Sequence, residues 1–124
     1  MSQFKNVNVV QYNVVDFERA KQFYQEVLEW PVAFHSDEAG WFELGRPNET
    51  HIAINRWDSA WGPLPVNGAL AVLSVDDAHA TTAALTARGI RCDKVESIPG
   101  MVTYGAFFDP EGNKIQFASL PPAA

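Results

Sequence analysis

Val14-Val15-Asp16-Phe17-Glu18-Arg19-Ala20 and Ser74-Val75-Asp76-Asp77-Ala78-His79-Ala80 are two copies of one pattern. In each, an apolar strand ends in Val-Asp and passes directly into a helix that carries alanine. Val15 matches Val75, Asp16 matches Asp76 and Ala20 matches Ala80. Self-similarity of this kind signals repeated supersecondary units, so the chain reads as two similar halves. Two curved half-sheets facing each other leave a cleft, and chemistry is expected there.

Around the first copy, residues 6–15 read as a strand rich in β-branched residues. Val10, Tyr12 and Val14 fall on one face, and Val9, Gln11 and Asn13 on the other. Asp16 is a good N-cap, and Phe17, Ala20, Phe23, Tyr24, Val27 and Leu28 follow at helical spacing until Pro31. Three short strands come next, over 32–35, 41–44 and 51–57, separated by turn residues. Residues 58–67, with Gly62, Pro63 and Pro65, suit a linker between modules of residues 5–57 and 68–119. The second half repeats the order: a strand over 69–75, Asp76 as cap, a helix closed by Gly89, and strands over 91–98, 101–108 and 114–119. Asp109-Pro110-Glu111-Gly112-Asn113 is a turn between the last two. Residues 120–124 form a loose tail.

The chain has 124 residues, 47% of them hydrophobic, which is enough for one self-supporting domain spanning residues 1–124. Its formal charge of -6, with scattered Lys and Arg, disfavours nucleic acid as a partner. Cys92 is the only cysteine, which excludes an intrachain disulfide and a paired-cysteine zinc motif. The start lacks the apolar stretch of a signal peptide, and no apolar run nears the roughly 18 residues of a membrane span. The expected location is cytoplasmic, with no membrane partner.

The order βαβββ twice, the stretch Val14 to Leu28 (VVDFERAKQFYQEVL) and the stretch Phe107 to Phe117 (FFDPEGNKIQF) resemble the vicinal oxygen chelate superfamily. That superfamily holds glyoxalase I, extradiol dioxygenases, fosfomycin-resistance transferases and bleomycin-binding proteins. The resemblance covers nearly the whole chain. It implies an α+β fold in which two βαβββ modules form a half-barrel-type pair of sheets, and it implies a homodimer. Because one fold hosts many reactions, function has to be argued from the site.

Relatives that use a metal hold it from the inward face of the first and last strands of each half. The resemblance carries those positions onto Val9, Ala53, Leu70 and Gln116, of which only Gln116 has a ligating atom. A divalent ion needs three or more such groups, so no metal and no cofactor are expected. A divalent metal enters only through a shifted set of Gln11, His51 and Gln116, with Glu43 joining if its strand parity allows.

Alternation sets His51, Ala53 and Asn55 opposite Ile52 and Ile54, so His51 is expected to face the cleft. It is the one candidate for a catalytic base, read beside a hydrogen-bonding or merely satisfied role. The same alternation brings Gln11, Asn13, Asn55, Val72, Tyr104, Lys114 and Gln116 inward with it. Amides, a phenol and apolar walls suit a small organic molecule. Trp41, Trp57 and Trp61 either cap the cleft or join subunits. The favoured reading is therefore a metal-free small-molecule-binding protein. A glyoxalase-type lyase, isomerase or transferase with shifted ligands, and a dimerisation module with a vestigial pocket, are the alternatives.

Overall fold

In the computed structural model, which describes residues 2–3, 5–65 and 70–120, the chain divides between residues 67 and 68 into two compact units. Each is a four-stranded mixed sheet with one helix, giving an α+β fold. The first unit runs β1 (Val9–Val14), α1 (Phe17–Leu28), β2 (Val32–Ser36), β3 (Trp41–Leu44) and β4 (His51–Arg56). The second runs β5 (Val72–Ser74), α2 (Ala78–Ala87), β6 (Glu96–Ile98), β7 (Val102–Phe108) and β8 (Lys114–Ser119). The strand orders, β1-β4-β3-β2 and β5-β8-β7-β6, are the same arrangement used twice. In both, the first and last strands pair in parallel, as a helical crossover requires, and the other pairs are antiparallel.

The first helix begins where the sequence predicts. The Asp16 carboxylate accepts from the Arg19 N–H at 3.1 Å, and Phe17, Ala20 and Tyr24 fall on the buried stripe. It ends at Glu29, which takes up a left-handed conformation (φ 55°) and returns its N–H to the Gln25 carbonyl at 3.2 Å, two residues ahead of Pro31. Tyr24 stacks on Tyr12 with centroids 6.1 Å apart, while Tyr24, Leu44 and Ile54 are fully enclosed. Burying side chains of this size contributes about 1.5–3 kcal/mol each. The alternate residues Gln11, Asn13, Trp41, Glu43, His51 and Asn55 thereby lie on the sheet face away from α1.

The second unit departs from the prediction in its first half. The cap of α2 is Asp77, not Asp76: its carboxylate accepts from the His79 and Ala80 N–H groups at 2.9 and 3.1 Å. The repeat is thus in register along the strands and slips by one residue at the helix. Strand β5 is three residues long, leaving Leu70 ahead of it, and Ala69 lies outside the described residues. Strand β6 is equally short. Residues 91–95 touch the sheet through an isolated Cys92–Phe107 bridge, where the sequence reads a continuous strand over 91–98. The linker carries a single 3-10 turn, Ser59–Trp61, capped by Asp58; residues 66–67 of the linker and 121–124 of the tail lie outside the described residues. Among the described residues no helix is long and apolar enough to cross a membrane.

Candidate functional site

On the first unit the polar residues expected at the site are bonded to one another. The Asn13 side-chain oxygen accepts from Gln11 at 2.8 Å and from Asn55 at 3.1 Å. Register explains the pairing with Asn55, since Asn13 lies directly across β1–β4 from it. A second network starts at Trp41, whose indole N–H donates to Glu43 Oε1 at 3.0 Å, with Glu43 Oε2 2.5 Å from His51 Nδ1. His51 Nε2 lies 2.7 Å from the Arg46 carbonyl oxygen. Opposite an ionised Glu43 and the Arg46 carbonyl, both acceptors, the ring is best satisfied when both nitrogens donate, so its surroundings favour the protonated form. In that form both nitrogens are spent on protein acceptors.

The charges agree with that geometry. The hydrogen bond to Glu43 raises the His51 pKa most, with the Arg46 carbonyl adding to it. Burial pushes the Glu43 carboxyl up, but the bonds from His51 and Trp41 outweigh it and hold it below its ordinary value. The stability that His51 supplies is complete below its ordinary pKa of 6.5 and is lost as pH rises through the raised folded value. That of Glu43 is complete above its ordinary 4.5 and is lost as pH falls through the lowered one. The pair therefore contributes fully between pH 4.5 and 6.5. At pH 6, His51→Leu is expected to cost about 2 kcal/mol in urea unfolding, because it strands a largely buried carboxylate. The Glu43→Gln, His51→Leu double variant is expected to lose the wild type's alkaline decline in stability. An unchanged decline would place its origin elsewhere.

The second unit is different in kind. A cavity of about 370 Å³ opens on the side of β6, β7 and β8 away from α2, lined by Asp93, Lys94, Glu96, Tyr104, Gly105, Ala106, Lys114 and Gln116. Ala106 is 2% exposed and supplies only a methyl group at its floor. Lys114 Nζ is paired with Asp93 at 2.9 Å. Among the described residues, no hydrogen bond or ion pair occupies the side chains of Lys94, Glu96, Tyr104 or Gln116. A larger hollow of about 930 Å³ lies between α1 and β2 of the first unit. Its half-buried cation, Lys21, is already held by Asp37 at 2.7 Å and Glu18 at 3.0 Å.

The structure thus gathers Tyr104, Lys114 and Gln116 at one cavity, and Gln11, Asn13, Asn55 and His51 on one face of the other sheet. Val72 is beside Gln116 in register, is 58% exposed, and does not line the cavity. Asp93, Lys94, Glu96 and Ala106 escaped the sequence reading. For Ala106 a signal exists, since it follows Tyr104 by two and shares its face. Asp93 and Lys94 precede the short β6, where alternation has no hold. Trp41 engages Glu43, while Trp57 donates to the Gly62 carbonyl at 3.0 Å and meets the exposed Trp61 edge-on at 5.2 Å.

Residues 6–117 match the family model of the glyoxalase/bleomycin resistance protein/dioxygenase superfamily. The chain belongs to this superfamily. Among solved structures, TnmS3, an antibiotic-binding protein from Streptomyces sp. CB03234, is 25% identical over 98% of this chain and 100% of its own, with a TM-score of 0.77. A glyoxalase/bleomycin resistance protein from the same organism is 26% identical over 90% of this chain and 98% of its own, with a TM-score of 0.68. A lactoylglutathione lyase from Agrobacterium tumefaciens shares the fold at 15% identity over 95% and 96% of the two chains, with a TM-score of 0.71. No curated protein matches the chain.

The donors required for the metal of chelating superfamily members are poorly supplied. Val9 and Ala53 carry hydrocarbon, with their register partners His51 and Glu43 bonded to each other, and Leu70 precedes β5. Among the described residues no group of three or more His, Cys, Asp or Glu is placed to hold an ion.

Proposed function

We propose that the chain is a small-molecule-binding member of its superfamily, holding an organic ligand at the cavity of the second unit without a resident metal ion. One observation carries this reading: Lys94, Glu96, Tyr104 and Gln116 surround the hollow with hydrogen-bonding groups that have no protein partner among the described residues. Tyr104 and Gln116 are half-buried and gain most from a ligand when nothing else satisfies them, while the exposed Lys94 and Glu96 stand at the rim. The first unit's polar groups, already engaged with one another, offer much less. The metal-free part of the proposal is supported by the engagement of both His51 nitrogens with Glu43 and the Arg46 carbonyl and by the hydrocarbon at Val9 and Ala53. The antibiotic-binding activity of TnmS3 makes antibiotics the first class to try.

A thermal-shift screen of the full chain against aromatic antibiotics and cationic glycopeptides tests this. A ligand at a hundred times its Kd is expected to add about 2.7 kcal/mol of stability. The shift is expected to survive EDTA and to disappear in Ala106→Phe, whose ring takes up the cavity floor, provided the unliganded variant still melts cooperatively. A shift abolished by EDTA rejects the metal-free reading, and a hit insensitive to Ala106→Phe rejects the location.

A further inference from the structure

Resting on the binding reading above, we infer that the cavity of the second unit selects a neutral, planar molecule presenting an amide edge, a lactam or carboxamide, to Gln116. Gln116 occupies the middle of β8, in register with Ala106 on β7 and Val72 on β5. Its carboxamide is half-buried and has no hydrogen-bond partner among the described residues. A carboxamide carries an acceptor oxygen and a donor nitrogen side by side, and another amide edge satisfies both at once. A carboxylate ligand answers only the donor and an ammonium only the acceptor, leaving the remaining group desolvated against nothing.

The other lining residues set shape and charge. Tyr104 shares its face with Ala106 and brings an aromatic ring whose hydroxyl has no partner among the described residues, which suits a flat ligand. Ala106, directly across from Gln116 in register, adds only a methyl group to that face. The formal charges of Asp93, Lys94, Glu96 and Lys114 cancel, and the Asp93–Lys114 pair at 2.9 Å is internally compensated. No net field at the lining favours a charged ligand. At about 370 Å³ the cavity is at the small end of ligand sites, the size of one or two fused rings.

Four bicyclic probes of matched size separate the possibilities: quinolin-2(1H)-one, 2-naphthoate, 2-naphthylmethylammonium and naphthalene, titrated against the full chain by calorimetry. The lactam is expected to bind about tenfold tighter than the other three, the effect of one to two hydrogen bonds. Gln116→Met, which keeps volume and removes both polar groups, is expected to erase that advantage without weakening naphthalene. Gln116→Glu, which keeps only acceptors, is expected to move the preference to the ammonium probe. Tighter binding of the naphthoate or the ammonium by the wild type, a lactam advantage that survives Gln116→Met, or no binding by any probe overturns the inference. The placement of the ligand at this cavity fails separately, if antibiotic hits ignore Ala106→Phe.

Discussion

Gly45→Ala is expected to destabilise the protein by about 3 kcal/mol in urea unfolding, through backbone and contact together. Gly45 follows β3 with φ at 151°, a region that side-chain-bearing residues rarely enter. A Cβ there overlaps Cδ2 of the His51 ring and approaches Cγ to 2.7 Å. The ring cannot swing aside, because Glu43 and the Arg46 carbonyl hold its two nitrogens. The backbone is pinned as well, since the Gly45 N–H donates to the Pro31 carbonyl at 2.9 Å. Part of the loss is therefore coupled to His51. In a double-mutant cycle, adding Gly45→Ala to His51→Ala is expected to cost at least about 1 kcal/mol less than adding it to the wild type. Equal costs in both backgrounds would assign the whole effect to the backbone and remove the steric argument.

Asp109→Ala is expected to cost a similar amount, about 3 kcal/mol, for a different reason. Asp109 is 5% exposed, and its carboxylate closes the turn between β7 and β8. One oxygen accepts from the Glu111 and Asn113 N–H groups at 2.9 and 2.8 Å, and the other from the Asn113 side-chain amide at 2.8 Å. Alanine strands three donors in a half-buried turn. Asparagine keeps one acceptor but sets an NH₂ where an oxygen is required, and about 1–2 kcal/mol is expected. Because Lys114 opens the strand just beyond, probe affinity at the cavity is expected to fall with stability in Asp109→Ala. Affinity held at the wild-type level at a temperature where the variant is fully folded would show that the turn serves folding alone.

The sequence made most of the architecture readable, for reasons that can be traced to single residues. Period-two burial in β1 and β4 and the stripe from Phe17 to Tyr24 are strong signals, because one-sided burial imposes a strict period. The Asp109 turn was equally plain, since proline, glycine and asparagine at fixed offsets leave few conformations. The helix cap in the second half was misread because adjacent aspartates at 76 and 77 are both competent. The repeat favours Asp76, and only the N–H geometry decides for Asp77. Residues 91–95 were misread because an apolar and charged run without clear alternation cannot fix its own partner.

The site was legible as a set of faces but not as a set of bonds. Parity gave Glu43 and His51 a shared side only if the register across β3–β4 was known, and that register depends on the loop from Gly45 to Thr50. Whether a polar side chain is spent on its neighbour or left over is likewise a matter of tertiary distances. Gln11 and Gln116 look alike in the sequence, yet one is bonded to Asn13 and the other to nothing described.

That asymmetry between two glutamines has a consequence for how such a chain can change. In the first unit, any substitution among Asn13, Glu43, His51 or Asn55 breaks a bond inside the protein and is felt as lost stability before it is felt as altered recognition. At Tyr104 and Gln116, half-buried and without a side-chain partner among the described residues, the same kind of substitution breaks no such bond. The two halves of the duplication thus tie up their inward-strand polar groups to very different degrees.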